Sequence, residues 1–95
     1  MNYYALTYKT ADNYLEERPK YRAEHLKLAT EFVEKGYLVL GGAMENPADE
    51  ALLIFKAESD KIAISFAEND PYVKNGLVKL WSVRKWNVVV NSFEK

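Results

Sequence analysis

The chain carries a single histidine and no cysteine, which makes His25 the best lead to chemistry near neutral pH. Read as a helix at ~100° per residue, residues 19 to 35 place Leu28, Ala29, Phe32 and Val33 on one arc with His25 near its middle. Glu24, Lys27, Thr30, Glu31 and Glu34 fall on the opposite arc, and Arg18 and Arg22 lie on the histidine side, towards the N-terminus. A titratable ring pointing inward costs free energy unless a partner compensates it. An imidazole of ordinary pKa, ~6.5, is the usual general acid or base at neutral pH. A core histidine satisfied by a backbone carbonyl and a tyrosine is the alternative reading of the same position.

Asp70 is the candidate partner. Standing before Pro71 it is suited to capping a helical turn, and a carboxylate with two oxygens can cap and also accept the imidazole N–H. Gly41 and Gly42 either make a simple turn or bulge or let a ligand approach the backbone. Tyr72 either packs or offers its hydroxyl to a ligand. Arg18 and Arg22 are solvated, pair with Asp12 or Glu16, or bind a substrate carboxylate, for which the guanidinium fork is suited. One histidine among unpaired carboxylates does not make a metal site, the glycine pair is no phosphate loop, and no serine sits in an elbow motif, so neither metal nor organic cofactor is expected.

The elements that must position these groups follow from punctuation and periodicity. Asn2 to Tyr8 reads as a first strand, and Asp12 to Glu17 as a helical turn. A main helix is predicted to start at Pro19, favoured at a first helical position, and to stop at Gly36. Tyr37 to Leu40 and Leu52 to Lys56 are strands two and three, separated by the glycines and a loop at Asn46-Pro47. Ser59 can cap a second helix that ends near Asn69. Asp70-Pro71 opens a turn closed by Gly76, and Lys79 to Val90 forms a long last strand. The order βαββαβ predicts an α+β, ferredoxin-like fold, with two helices on one face of an antiparallel sheet.

The strands are apolar on both faces. Tyr3, Ala5 and Thr7 oppose Tyr4, Leu6 and Tyr8; Trp81 and Val83 oppose Leu80, Trp86, Val88 and Val90. Two helices cover one face only, so a homodimer through the open sheet face is expected; the rival is a monomer with an unusually apolar surface.

Ninety-five residues make one domain, 1–95, with 48% hydrophobic and 14% aromatic residues and a net charge of -1. The charge balance, 13 basic against 14 acidic residues, argues against a nucleic-acid partner, and no polybasic run suits a membrane surface. No apolar stretch approaches the ~18 residues of a membrane span. The N-terminus lacks a basic segment and a cleavage site, which with the lack of cysteine favours a cytoplasmic protein.

Three segments together carry a resemblance. R-P-K-Y-R-A-E-H-L from residue 18, L-V-L-G-G-A-M at 38 to 44 and N-D-P-Y-V-K-N-G-L at 69 to 77 resemble the YciI-like, or YCII-related, proteins over nearly the whole chain. The resemblance implies a dimeric α+β barrel of ferredoxin-like subunits with a histidine–aspartate pair in a pocket. His25 and Asp70 match that pair, and Arg22 a commonly basic position. It also implies a small-molecule chemistry, since a member removes chloride from a hydroxylated aromatic and related barrels include isomerases and monooxygenases. The chain departs from the pattern at Gly42-Ala43, where a proline often follows the glycine, and this alters the pocket rim. The expectation is an enzyme in which His25 and Asp70 perform proton transfer, isomerisation or elimination on a small aromatic or carboxylated metabolite held by Arg22, Gly42 and Tyr72. The alternative is a non-catalytic binding module of the same fold.

Overall fold

The computed structural model describes residues 1–93. The elements run β1 (Asn2–Thr10), α1 (Tyr14–Glu34), β2 (Leu38–Ala43), β3 (Glu50–Ala57), α2 (Lys61–Asn69), α3 (Pro71–Lys74) and β4 (Val78–Trp86). The four strands pair antiparallel in the order β2-β3-β1-β4. This is the ferredoxin-like arrangement, with β1 and β3 central and α1 and α2 packed on one face.

Alternation along β1 decides which face is which. Tyr4, Leu6 and Tyr8 are buried beneath the helices, joined by Leu53 and Phe55 of β3 and by Ala63, Phe66 and Ala67 of α2. Phe32 of α1 meets Phe66 edge-on at 5.1 Å between ring centroids, and Phe55 touches both rings. Such perpendicular contacts suit the ring quadrupoles. On the other face, Tyr3 pairs with Trp86 and Lys9 with Leu80. Leu80 and Trp86 remain 64% and 49% exposed, as the apolar alternation of both faces requires. The Asn91 side chain donates to the Tyr3 hydroxyl at 2.7 Å, folding the C-terminal segment back to β1.

Several boundaries differ from those the sequence suggests. α1 does not start at Pro19 but runs continuously from Tyr14, with Pro19 inside its second turn. Proline there removes one helical hydrogen bond, to the Leu15 carbonyl. Tyr14, 5% exposed and edge-on to Tyr72 at 5.8 Å, supplies burial that offsets this loss. Val33 is 53% exposed and lies beside the core rather than in it. β2 and β3 are longer than expected, and Val39 forms a bulge between Leu38 and Leu40. β4 stops at Trp86 because β1 begins at Asn2 and leaves Val88 and Val90 no strand to pair with. The N-cap of α2 is Asp60, not Ser59, although Ser59 Oγ accepts the Lys61 N–H at 3.3 Å.

The two helix ends that shape the site close in the same way. At α1 the Gly36 N–H donates to the Val33 carbonyl and the Tyr37 N–H to that of Phe32; at α3 Gly76 donates to Val73 and Leu77 to Tyr72. Both glycines have positive φ, 82° and 79°, the left-handed conformation that favours glycine at this position.

Candidate active site around His25 and Asp70

The junction between α2 and α3 places Asp70. The helix α2 ends at Asn69, Asp70 turns extended with ψ 122°, and Pro71 restarts the chain at the first position of α3. The Asp70 side chain then accepts the Tyr72 N–H through Oδ1 at 3.0 Å, the capping bond expected from the sequence. His25, near the middle of α1, meets the same oxygen through Nδ1 at 2.9 Å. The other oxygen, Oδ2, accepts the Tyr8 hydroxyl at 2.7 Å. Capping and histidine contact therefore share one oxygen, and β1 supplies the partner of the second.

Asp70 is fully buried, whereas the His25 side chain is 17% exposed. A buried carboxylate is tolerated when donors surround it, and here there are three. With Nδ1 donating to the carboxylate, the imidazole is left with Nε2 as its free, basic nitrogen. One face of the ring is fixed by Tyr72, which stacks on it at 3.9 Å between centroids and 7° between planes. Phe66 meets the ring edge-on at 6.3 Å. The imidazole is thus held by a hydrogen bond, a stacked ring and a core aromatic.

Burial pushes the Tyr8 phenol far above its ordinary value, and the neighbouring Asp70 charge adds to this, so it stays a donor. The Tyr72 phenol is raised as well, chiefly by burial, with Arg22 and Arg18 acting in the opposite sense. Its hydroxyl is buried and, among the described residues, none meets it in full hydrogen-bonding geometry, although the Arg22 guanidinium is near enough to act on it as a cation and a hydrogen-bonding neighbour.

These residues flank a cavity of about 700 Å3 between α1 and β2, within the range of small-molecule sites. His25, Arg22 and Tyr72 line it, as do Arg18 and Tyr14; Asp70 lies behind them. Arg18 stands over the Tyr14 ring at 5.5 Å. Gly41 and Gly42 both border the cavity. Gly41 opposes Leu53, where an added Cβ would come within 3.1 Å of the leucine, while a Cβ on Gly42 would meet nothing within 4 Å. Close backbone approach on the helix side therefore belongs to Gly41, and Gly42 borders the cavity by its main chain.

The residue pattern and the resemblance together brought His25, Asp70, Arg22, Gly42 and Tyr72 forward; His25, Arg22, Gly42 and Tyr72 border the cavity, and Asp70 reaches it only through His25. The residue pattern missed Tyr8 and Tyr14. Tyr8 carried a signal: a tyrosine on the inward face of a strand needs a partner for its hydroxyl.

The antiparallel sheet with its helices on one face makes this a small α+β protein of ferredoxin-like fold. Within it, the chain belongs to the YCII-related domain family, whose pattern matches residues 1–87. Among solved structures it is similar to the 5-chloro-2-hydroxyhydroquinone dehydrochlorinase of Burkholderia phenoliruptrix AC1100, in complex with 2,5-dihydroxybenzoquinone. The likeness has 27% identity and a TM-score of 0.74, over 90% of this chain and 93% of that one. It also shares its fold with a protein of Agrobacterium tumefaciens, at 16% identity and a TM-score of 0.61, over 94% of each chain. It matches no curated protein sequence. Among the described residues no helix is long and apolar enough to cross a membrane.

Proposed function

We propose that this chain is a small-molecule enzyme in which His25 acts as general acid or base on a weakly acidic aromatic or carboxylated metabolite. The observation that carries this reading is the 2.9 Å contact of His25 Nδ1 with fully buried Asp70, beside a cavity that the imidazole lines. The carboxylate orients the ring and fixes its tautomer, leaving Nε2 to take or give the proton. Arg22 and the Tyr72 hydroxyl are suited to receive the anion left on the substrate. The reaction class is proton transfer, isomerisation or elimination. The similarity to a dehydrochlorinase of a hydroxylated aromatic supports a ring substrate. Gly42 contributes main chain to the rim.

The reading also includes assembly. We propose that two copies pair through the sheet face opposite the helices, where Leu80 and Trp86 stand exposed. Covering such a face removes apolar surface from water at about 25 cal/mol per Å2.

Hydrogen–deuterium exchange at ligand carbons tests the chemistry whatever the product is. The protein is incubated in D2O with a panel of hydroxylated aromatics and ring carboxylic acids, and exchange is followed by NMR. At least one compound should exchange with wild type and not with His25→Ala, which still binds it. A panel that binds without any His25-dependent exchange would leave a binding module instead.

A further inference from the structure

The flank of α1 beside its core stripe carries Leu15, Arg18, Arg22, Leu26, Ala29 and Val33, all bordering the cavity. Their steps of three and four residues put them on one line, roughly 27 Å long at ~1.5 Å per residue. That line has two ends of different chemistry. Towards the N-terminus, after Leu15, stand the two guanidiniums; towards the C-terminus, past His25, every residue on it is apolar.

The opposite wall repeats the division. Tyr72 stands at the arginine end, its buried hydroxyl beside the Arg22 guanidinium and without a partner in full hydrogen-bonding geometry among the described residues. Leu38, Leu40 and Met44 belong to β2 and the segment after it. Leu26, Val33, Leu40 and Met44 are each about half exposed, at 46%, 53%, 47% and 48%. Isolated exposed apolar side chains are ordinary, but four around one groove are a patch, and patches mark binding. Pairing through the open sheet face leaves Leu26 and Val33 uncovered, since α1 lies on the other face. Neither Arg18 nor Arg22 has a carboxylate within 4.0 Å among the described residues, and Glu45 is the sole acidic residue bordering the cavity.

We propose that this groove takes an amphipathic monocarboxylic acid lengthwise, its carboxylate held by Arg18, Arg22 and the Tyr72 hydroxyl and its apolar chain lying along Leu26, Ala29 and Val33 towards β2. The inference rests on the reading that this cavity is the ligand site and specifies what it takes. The charge complementarity of the arginine end selects the head group. The apolar end selects length. Anchored at Arg22, one turn before His25, such a ligand presents the atoms next to its carboxylate to the imidazole.

Linear acids of increasing length test it directly on the full chain. Butanoate, hexanoate and octanoate are titrated with amide NMR shifts as the readout, and hexan-1-ol serves as the head-group control. Affinity should rise by about fourfold per methylene, equivalent to ~0.8 kcal/mol each, with shifts confined to α1, β2 and Tyr72. Hexan-1-ol should bind roughly tenfold or more weaker than hexanoate. Arg22→Gln should weaken all three acids, whereas Val33→Asn should reduce the gain with length and spare butanoate. Unchanged amide spectra away from each substitution establish that both variants fold. Affinity independent of length, or an alcohol as tight as the acid, would overturn the proposal. Ring compounds that undergo His25-dependent exchange while no linear acid binds would reject this ligand class and leave the enzymatic reading standing. Length-dependent binding with no exchange on any ligand would do the reverse.

Discussion

The Tyr8 hydroxyl donates to Asp70 Oδ2 at 2.7 Å, wholly inside the protein and across 62 positions of sequence. The bond ties the central strand to the α2–α3 junction on which the histidine rests. Tyr8→Phe leaves one carboxylate oxygen buried without its donor, and should cost ~1.5–3 kcal/mol. Chemical denaturation of the two proteins measures this.

The same phenol sets an alkaline limit to stability. Its folded pKa lies above the ordinary value of 10.0, mainly through burial and then through Asp70. Above about pH 10 the unfolded chain releases this proton while the folded chain keeps it, so stability falls as pH rises. The contribution is complete below that value. Melting temperatures taken from neutral pH to about pH 11 should hold level and then decline. Tyr8→Phe should flatten the decline, leaving the part due to Tyr72, whose pKa is also raised.

Asp70→Asn should leave the imidazole's tautomer in place and remove the negative charge beside Nδ1. The Tyr72 N–H and His25 Nδ1 meet the same Asp70 oxygen, so the amide oxygen stays there to accept from both, and the amide N–H2 turns to the Tyr8 hydroxyl. Ring 15N shifts report the tautomer, and His25-dependent proton exchange should fall ~10²–10⁴-fold. Unchanged exchange would remove Asp70 from the proposed mechanism.

Gly76 governs the site from a distance. Its φ of 79° closes α3, the turn that carries Tyr72 and is capped by Asp70. Gly76→Ala forces a side chain into the left-handed region at ~1–2 kcal/mol. The melting temperature should drop, and the amide signal of Tyr72 should shift more than that of Gly36.

If pairing runs through the open sheet face, Leu80→Lys and Trp86→Lys should each yield monomers in sedimentation velocity, where wild type sediments as a dimer. A monomeric wild type at micromolar concentration would reject that interface.

How far the sequence could be read depended on whether a signal was local. The phase of one helix put His25 inward, and the Asp-Pro pair identified Asp70 as a cap; both are short-range rules. Their meeting followed from the strand order, because βαββαβ brings the end of α2 beneath α1. Tyr8 escaped notice because its alternation with Tyr4 and Leu6 marks only a buried face and says nothing about what its hydroxyl finds there. Pro19 misled for the opposite reason. Its preference for a helix start is local and modest, and the burial of Tyr14 five residues earlier outweighed it. Val88 to Val90 read as strand by composition, but a strand needs a neighbour and β1 had none left to offer.

Three parts of the chain that are far apart in sequence converge on one carboxylate: β1 through Tyr8, α1 through His25 and the α3 turn through the Tyr72 amide. Its donors Tyr8 and His25 lie 62 and 45 positions away in sequence, so no stretch of chain shorter than residues 8 to 72 contains the whole arrangement. The seat of the imidazole is therefore a property of the complete sheet-and-helix topology rather than of any one element.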